Sequence, residues 1–493
     1  MGFKDDSAGA LASQPREDDR LASPDPAMAE KRTGTPADDG VAVDEVFGEQ
    51  QGDDVVQFRR RVAPPSHSQL SLADRHAVLI AKSQIGLGVL SIPSVFSTIG
   101  LVPGIIVILA MAVITTWTLL VVGDFKLRHP EVYSLSDCGQ LIFGRVGAEI
   151  FGFAYFLLTT MIAGLGLLSL STALNAISLH ATCTAVFVAV AVVATYPFAS
   201  FRKLENVAWI TWIGLFSIIV AVLVVTIAVG AGTRPAPAPK TGPLDIELVV
   251  FGKPTFAAAM NAVANVLAAY GGGPAAMPIV SEMREPRYFR RAVLLCQSLV
   301  TAFYLAVGIV VYVYAGQYVA SPALGTAGVL IKRVAYGLAL PGLLVSSILF
   351  THLPAKWVFV RLLRNSRHLN HATKTHWAVW LSCTLACLLF SYVIASAIPV
   401  FGGLVGLASA LFGTLMSLHA EAFMHLYDVR HHFASRADRP RFFWLGVASS
   451  IFVLLVGSLI LVGGTYGSIT SIIDDYSSSG GRPWTCADNS GSV

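Results

Sequence analysis

Two stretches of this chain could hold a small dipolar ligand without any ionised side chain at their centres. The first reads Lys82-Ser83-Gln84-Ile85-Gly86-Leu87-Gly88-Val89-Leu90-Ser91-Ile92-Pro93, and the second runs from Tyr270-Gly271-Gly272-Gly273-Pro274 through Pro278 to Glu282. Each contains Gly, any residue, Gly, four residues and Pro, and the three shared positions are offset by 185 residues (271 − 86, 273 − 88, 278 − 93). Glycine and proline at this spacing interrupt a helix, and an interrupted helix exposes backbone groups that have lost their intrahelical partners. Amides from Gly86 to Val89, at a positive half-helix end, suit a carboxylate; carbonyls from Tyr270 to Gly273 suit an ammonium. A zwitterion satisfies both. Apart from Lys82, neither stretch carries an ionised side chain at its centre to pair with a charged substrate side chain, which favours neutral amino acids over acidic or basic ones. The blander reading is that such residues only kink helices or permit close packing, as Gly402 and Gly406 do in a later span. One such stretch fits that reading better, whereas two at matching positions favour a binding site.

Little else in the sequence carries chemistry. There are no paired carboxylates, metal-spaced histidines or nucleophile elbows at membrane depth, so an enzyme, a metal centre and a bound cofactor are not expected. Glu282 closes the second stretch beside Arg284, Arg287, Arg290 and Arg291, either as a gating ion pair or as a solvated interfacial carboxylate. Glu149 and Glu421 are expected to snorkel toward an interface, and His352 to be a satisfied structural histidine. Cys138, Cys296, Cys383 and Cys387 read as packing thiols, while Cys183 and Cys486 fall on one expected outer side and leave pairing open.

The elements that must position these stretches are membrane helices. Hydrophobic residues make up 54% of the 493 and charged residues only 13%, against about 25% charged in soluble proteins. Apolar runs long enough to cross a hydrocarbon core recur near 76–100, 101–123, 145–177, 181–199, 206–230, 255–281, 290–315, 334–360, 377–396, 398–426 and 442–468, a count of eleven. Continuous apolarity without period-two alternation selects helices over a barrel. The inner connections then hold eighteen basic residues, and the outer segments six (Arg234, Lys240, Lys253, Lys332, Arg333 and Arg482), which places the N-terminus in the cytoplasm and the C-terminus outside. Residues 1–69 hold 14 of the 30 acids, 8 bases, six prolines and neither Trp nor Tyr, so they read as a disordered cytoplasmic tail that could bind regulatory proteins. No cleavable signal is expected before the first span. The transporter domain is expected over 70–468, with halves 76–230 and 255–426 joined by a Pro235, Pro237, Pro239 strap, an extra helix 442–468 and a short outer tail 469–493. Five spans per half, an odd number, gives the halves opposite topology, and inverted repeats that open on interrupted helices hold substrate at mid-membrane.

With these motifs quoted, the chain resembles the amino acid/auxin permease family over about residues 72–465, through Gly-Leu-Gly-Val-Leu-Ser-Ile-Pro at 86–93 and Pro-Ile-Val-Ser-Glu-Met at 278–283. Within it, the likeness is to the fungal neutral amino acid permeases of the N-system type. The resemblance implies an all-α membrane protein of eleven helices with the five-plus-five fold of the bacterial leucine transporter. It implies secondary transport of amino acids with protons or sodium, in the plasma membrane or alternatively the vacuolar membrane, with the lipid bilayer as setting and no nucleic acid. Position by position, Ser83, Gln84, Ile85, Gly86, Leu87 and Gly88 match the substrate-lining break and Tyr270, Gly271, Gly272 and Gly273 its partner. An eighth span adds Ser346 and Ser347 by depth, with Thr351 and His352 a turn deeper. Transporters of this fold place sodium between the first and eighth spans. Here Lys82, with Ser347 and Thr351 opposite, could substitute its ammonium for that cation, pointing to a proton gradient as the energy source; the alternative for Lys82 is snorkelling to the inner interface. Sodium coupling and an amino acid sensor on the same scaffold remain open alternatives.

The charge asymmetry generates a test. Tags at Ser7 and Ser492 should be reached from opposite faces of the membrane, and detection of both on one face of intact cells overturns the odd span count.

Overall fold

The computed structural model describes residues 84–201, 205–232, 234–239, 241–283, 286–364, 366, 368–369, 373–431, 443–478 and 483–491. The tail 1–69, Lys82, Ser83 and the basic residues Arg202, Lys203, Lys240, Arg284, Arg367, Arg436, Arg439, Arg441 and Arg482 lie outside the described residues.

All regular structure among the described residues is helical. A 3-10 turn, Leu87–Ser91, leads into α1 (Ile92–Ile99), followed by α2 (Leu101–Arg128), α3 (Leu135–Ser178), α4 (Thr184–Ala199) and α5 (Glu205–Gly230). The second part comprises α6 (Phe256–Ala269), α7 (Gly273–Glu282), α8 (Phe289–Ala315), α9 (Val329–Leu362) and α10 (Lys374–Ala397). Next, α11 (Phe401–Ala408) passes through two π turns into α12 (Ala420–His431), and α13 (Phe443–Leu459) passes through one into α14 (Thr465–Ser478). Among the described residues, 8 helical stretches are long and apolar enough to cross a membrane, or 9 when the pair Phe401–Gly413 and Leu415–His431, bent by 41°, is one span. Leu87–Ile99 and Thr184–Ala199 are shorter apolar helices. The protein is therefore an all-helical membrane protein.

Local chemistry explains where these helices begin. At the head of α3, Ser134 Oγ accepts from the Asp137 amide at 3.2 Å and Asp137 Oδ2 accepts from the Ser134 amide at 2.9 Å, a reciprocal cap. This cap starts the helix ten residues before the expected 145, and Gly144, at φ 66°, folds the added arm back so that Gly139 meets Gly147 and Ser136 Oγ donates to Ala148 O at 2.9 Å. The first amides of α2, at Leu101 and Val102, have no partner within the helix. They bond to Val249 O (3.1 Å) and Val250 O (3.0 Å) of the connection after α5. Gly100, at φ 91°, lets that connection come close, since Gly252 N occupies the place a Cβ would need.

Small residues set the packing. Without a hydrophobic force between helices in lipid, close backbone approach supplies the contact, and α9 lies with Ser347 on Gly166 of α3 and Gly342 on Gly214 of α5. The most apolar window of α3 is 61% buried, against 22% for Phe443–Ser477, so α3 is central and the α13–α14 span peripheral. Outward faces carry exposed Val113, Val193, Phe216, Ile227 and Val462, which suit a hydrocarbon solvent.

The two ends of the bundle differ. At the basic end, Arg128 Nη1 and His129 Nε2 lie 2.6 Å and 2.9 Å from the oxygens of buried Asp428, tying α2 to α12. At the opposite end, α14 runs to Ser478, past the expected 468, and residues 483–491 return across the bundle. Cys183 and Cys486 are joined in a disulfide. Around it, Thr184 Oγ1 donates to Ala487 O at 2.6 Å, Asn175 Nδ2 to Asn489 Oδ1 at 2.7 Å and Lys332 Nζ to Ser490 O at 2.6 Å.

The other four cysteines are buried, so in the folded, purified protein a maleimide should label the chain only after reduction. Cys183→Ser should make Cys486 reactive without reductant. Ready labelling of the unreduced wild type would refute the pairing.

Candidate functional site

Gly86 (φ −147°, ψ −131°) is not helical; from it the chain winds as a 3-10 turn to Ser91 and enters α1 with Pro93 in the first turn, where a missing N–H costs no intrahelical bond. In the second stretch α6 ends at Ala269, Tyr270 to Gly272 intervene, and α7 begins at Gly273 with Pro274 in its first turn. The two stretches touch. A Cβ built on Gly88 would sit 2.6 Å from Ala269 Cα, so the backbones cross where only glycine fits.

Carbonyls freed by such interruptions need donors. The hydroxyl of Tyr304, on α8, lies 2.8 Å from Ala269 O and 3.1 Å from Gln84 O, and so spans both stretches. Near it, Tyr270 Oη donates to Thr301 Oγ1 at 2.9 Å, and the Tyr270 and Tyr304 rings meet edge to face at 5.3 Å. Tyr270 is thus buried against α8. Gln84 is 3% exposed, yet neither its Nε2 nor its Oε1 has a partner among the described residues. A Cβ on Gly86 would meet nothing within 4 Å among the described residues. An unmet amide beside open backbone is a group that a polar ligand can satisfy.

The structure thus brings Gly88 against Ala268 and Ala269, and through Tyr304 links Gln84 O with the end of α6 beside Tyr270, whereas Gly273 lies against Ser417 and Glu421. Ser346, Ser347 and Thr351 lie on α9. α9 packs on α3, α4, α5 and α10. Ser346 and Ser347 donate back to Gly342 O (2.9 Å) and Leu343 O (3.2 Å), while Thr351 Oγ1 is buried with no partner among the described residues. Lys82 and Ser83 lie outside the described residues. His352 has Nδ1 3.3 Å from Ala199 O and its ring edge-on to Trp380. Glu149 pairs with Arg361, both about half exposed. Glu421 departs from expectation: it is 0% exposed, because its helix turns that face onto the protein.

A cavity of about 380 Å³ opens on the disulfide side of the crossing, lined by Ser94, Thr98, Asn261, Asn265, Phe401, Asp475 and Asn489 among others. Asn265 comes five residues before Tyr270, so the cavity adjoins the crossing without including it. Sequence reading missed this vestibule. Asn261 and Asn265, four apart in an Ala-rich span, were its legible signal, since polar side chains in lipid turn inward. Tyr304 and the returning tail gave none. Among the described residues, no cluster of His, Cys, Asp or Glu could hold a metal ion.

Residues 73–470 match the family model described as transmembrane amino acid transporter protein. A transmembrane transporter of Gibberella moniliformis is 34% identical over 421 residues, 85% of this chain and 88% of its own. The N amino acid transport system protein of Neurospora crassa is 31% identical over 425 residues, 84% of this chain and 87% of its own. The crystal structure of MhsT in complex with L-phenylalanine is similar over 85% of this chain and 100% of its own, at 14% identity and a TM-score of 0.47. The chain belongs to the transmembrane amino acid transporter family, a family of transporters and not of enzymes.

Gly88 and Gly86 should respond differently to a methyl group. Gly88→Ala forces the crossing backbones apart and should lower thermal stability by roughly 1–3 kcal/mol, the usual cost of overpacking, whereas Gly86→Ala should leave it within about 0.5 kcal/mol of wild type. Equal melting of the two variants in detergent would refute the crossing.

Proposed function

We propose that this family member is a secondary transporter of neutral amino acids in the plasma membrane, working by alternating access and driven by a proton gradient. The observation that carries the substrate class is the buried, unmet Gln84 amide at the crossing, where the described residues Gln84–Gly88 and Tyr270–Gly273 include no ionised side chain. A zwitterion brings its own two charges to backbone ends and needs no side-chain counter-ion. A substrate with a further charge would be buried there unpaired, at a cost of several kcal/mol by desolvation estimates of about that size. The name of the Neurospora crassa relative supports the same direction.

The architecture we propose counts eleven spans, taking the nine and adding the short apolar helices Leu87–Ile99 and Thr184–Ala199. The first and sixth are then broken helices opening two inverted halves, with the N-terminus inside and the C-terminus, carrying Cys486, outside. Substrate sits against Ser83 to Gly88 and Tyr270 to Gly273, with Ser346 nearby. For coupling, Lys82 lies four residues before Gly86, about one helical turn, and its ammonium takes the place of a sodium ion, facing Ser347 and Thr351.

Uptake of labelled neutral amino acids into proteoliposomes, under an imposed pH gradient or an imposed sodium gradient, tests this. Acid outside should drive accumulation in the wild type, and Lys82→Asn should abolish it. Accumulation driven by sodium alone would overturn the coupling, and binding without accumulation would make the protein a sensor.

A further inference from the structure

The carboxyl group of Glu421 belongs to none of the features used so far. It is fully buried, and both oxygens lack a hydrogen-bond partner among the described residues. A Cβ placed on Gly273 would lie 2.8 Å from Glu421 Oε1 and 2.7 Å from Ser417 Oγ, and that serine oxygen is likewise buried and unpartnered. Two polar side chains one turn apart therefore converge on the first residue of α7, the half-helix that follows the crossing. α7 has 10 residues, and its positive N-terminal end meets this unpartnered carboxyl.

We propose that Glu421 is a proton-binding site whose occupancy controls how firmly α7 is held against the π turn and α12. As a carboxylate it attracts the positive end of α7 and holds the half-helix in place; with a proton bound, that attraction is lost and α7 is free to swing. One proton is taken up from one side of the membrane, and the same proton leaves on the other after α7 has moved. A carboxyl inside the membrane with no cationic partner suits a proton rather than a fixed charge.

The groups around it leave this role open. Glu421 makes no ion pair among the described residues. From α3 the Cys138 thiol is within electrostatic range. On α2, Lys126 Nζ is held by Pro130 O and Val132 O, and Arg128 by Asp428, farther along α12. His419 and His425, before and after Glu421, bond to Ser458 and Ser450 of α13. On α7 itself the titratable residue is Glu282, at the opposite end.

This inference rests on the proton-coupled reading but not on the role of Lys82. The test uses the full chain in proteoliposomes loaded with a pH dye, given a labelled mixture of L-alanine, L-leucine and L-phenylalanine. In the wild type, adding the mixture should carry protons inward, and acid outside should tighten substrate binding. Glu421→Gln, fixed in the uncharged form, should lose the proton signal, lower gradient-driven accumulation at least tenfold, and give binding that no longer varies with pH. Glu421→Asp should restore a pH dependence with a displaced midpoint. Proton influx that persists in Glu421→Gln overturns the assignment while the coupling stands; a wild type without proton influx removes both. Infrared difference spectra of the wild type between acid and alkali cover the case in which the Gln variant does not fold. A titrating buried carboxyl band that moves in Glu421→Asp supports the site, and its absence or immobility refutes it.

Discussion

The Tyr304 hydroxyl, 2.8 Å from Ala269 O and 3.1 Å from Gln84 O, addresses the constraint on which the rest of this structure depends. Hydrocarbon offers no hydrogen bonds, so a helix can be interrupted within it only where protein supplies replacements for the lost backbone partners. Here the single O–H of one buried side chain on α8 lies between carbonyls of both stretches. The same constraint fixes where the interruptions lie, because both must reach a single phenol, and Gly88 permits this by admitting the Ala269 backbone where a side chain would stand.

From that clamp follows a division of labour among the helices. α3, α5 and α9 pack through small residues at Gly166, Gly214 and Gly342, which lets their backbones approach and makes a stiff frame. α7 and the 3-10 turn are short, of 10 and 5 residues, and each follows a glycine. A short half-helix against a stiff frame is the kind of element that can take two positions, as a transporter needs. The disulfide end adds a further constraint, since Cys183, Lys332 and Asn175 all fix the returning tail beside the polar vestibule.

Much of this was legible in the sequence for simple reasons. Apolar runs reveal helices in lipid because the bilayer demands length and hydrophobicity of each span separately, and the family resemblance lay in short contiguous motifs. The two glycine stretches were visible for the same cause: helix interruption is a local property of Gly and Pro. Partnership was not local. Tyr304 lies 220 residues from Gln84 along the chain, and nothing near it marks its role.

Glu421 shows the limit most clearly. By sequence it is one acid toward the end of a span, and snorkelling is what such a residue usually does; only the packing of α12 turns it inward, to 0% exposure beside Gly273. At Gly88 the sequence showed only a glycine in an interrupted stretch; the fold alone shows the Ala269 backbone where its Cβ would stand. The pairing of Cys183 with Cys486, 303 residues apart, was open until α14 and the tail placed the two together. The sequence by itself determined the helical class and its membrane setting, because each depends on a few adjacent residues. Tertiary structure alone decided which groups meet at the two glycine stretches, because burial and hydrogen-bond partners depend on contacts between segments that are remote along the chain.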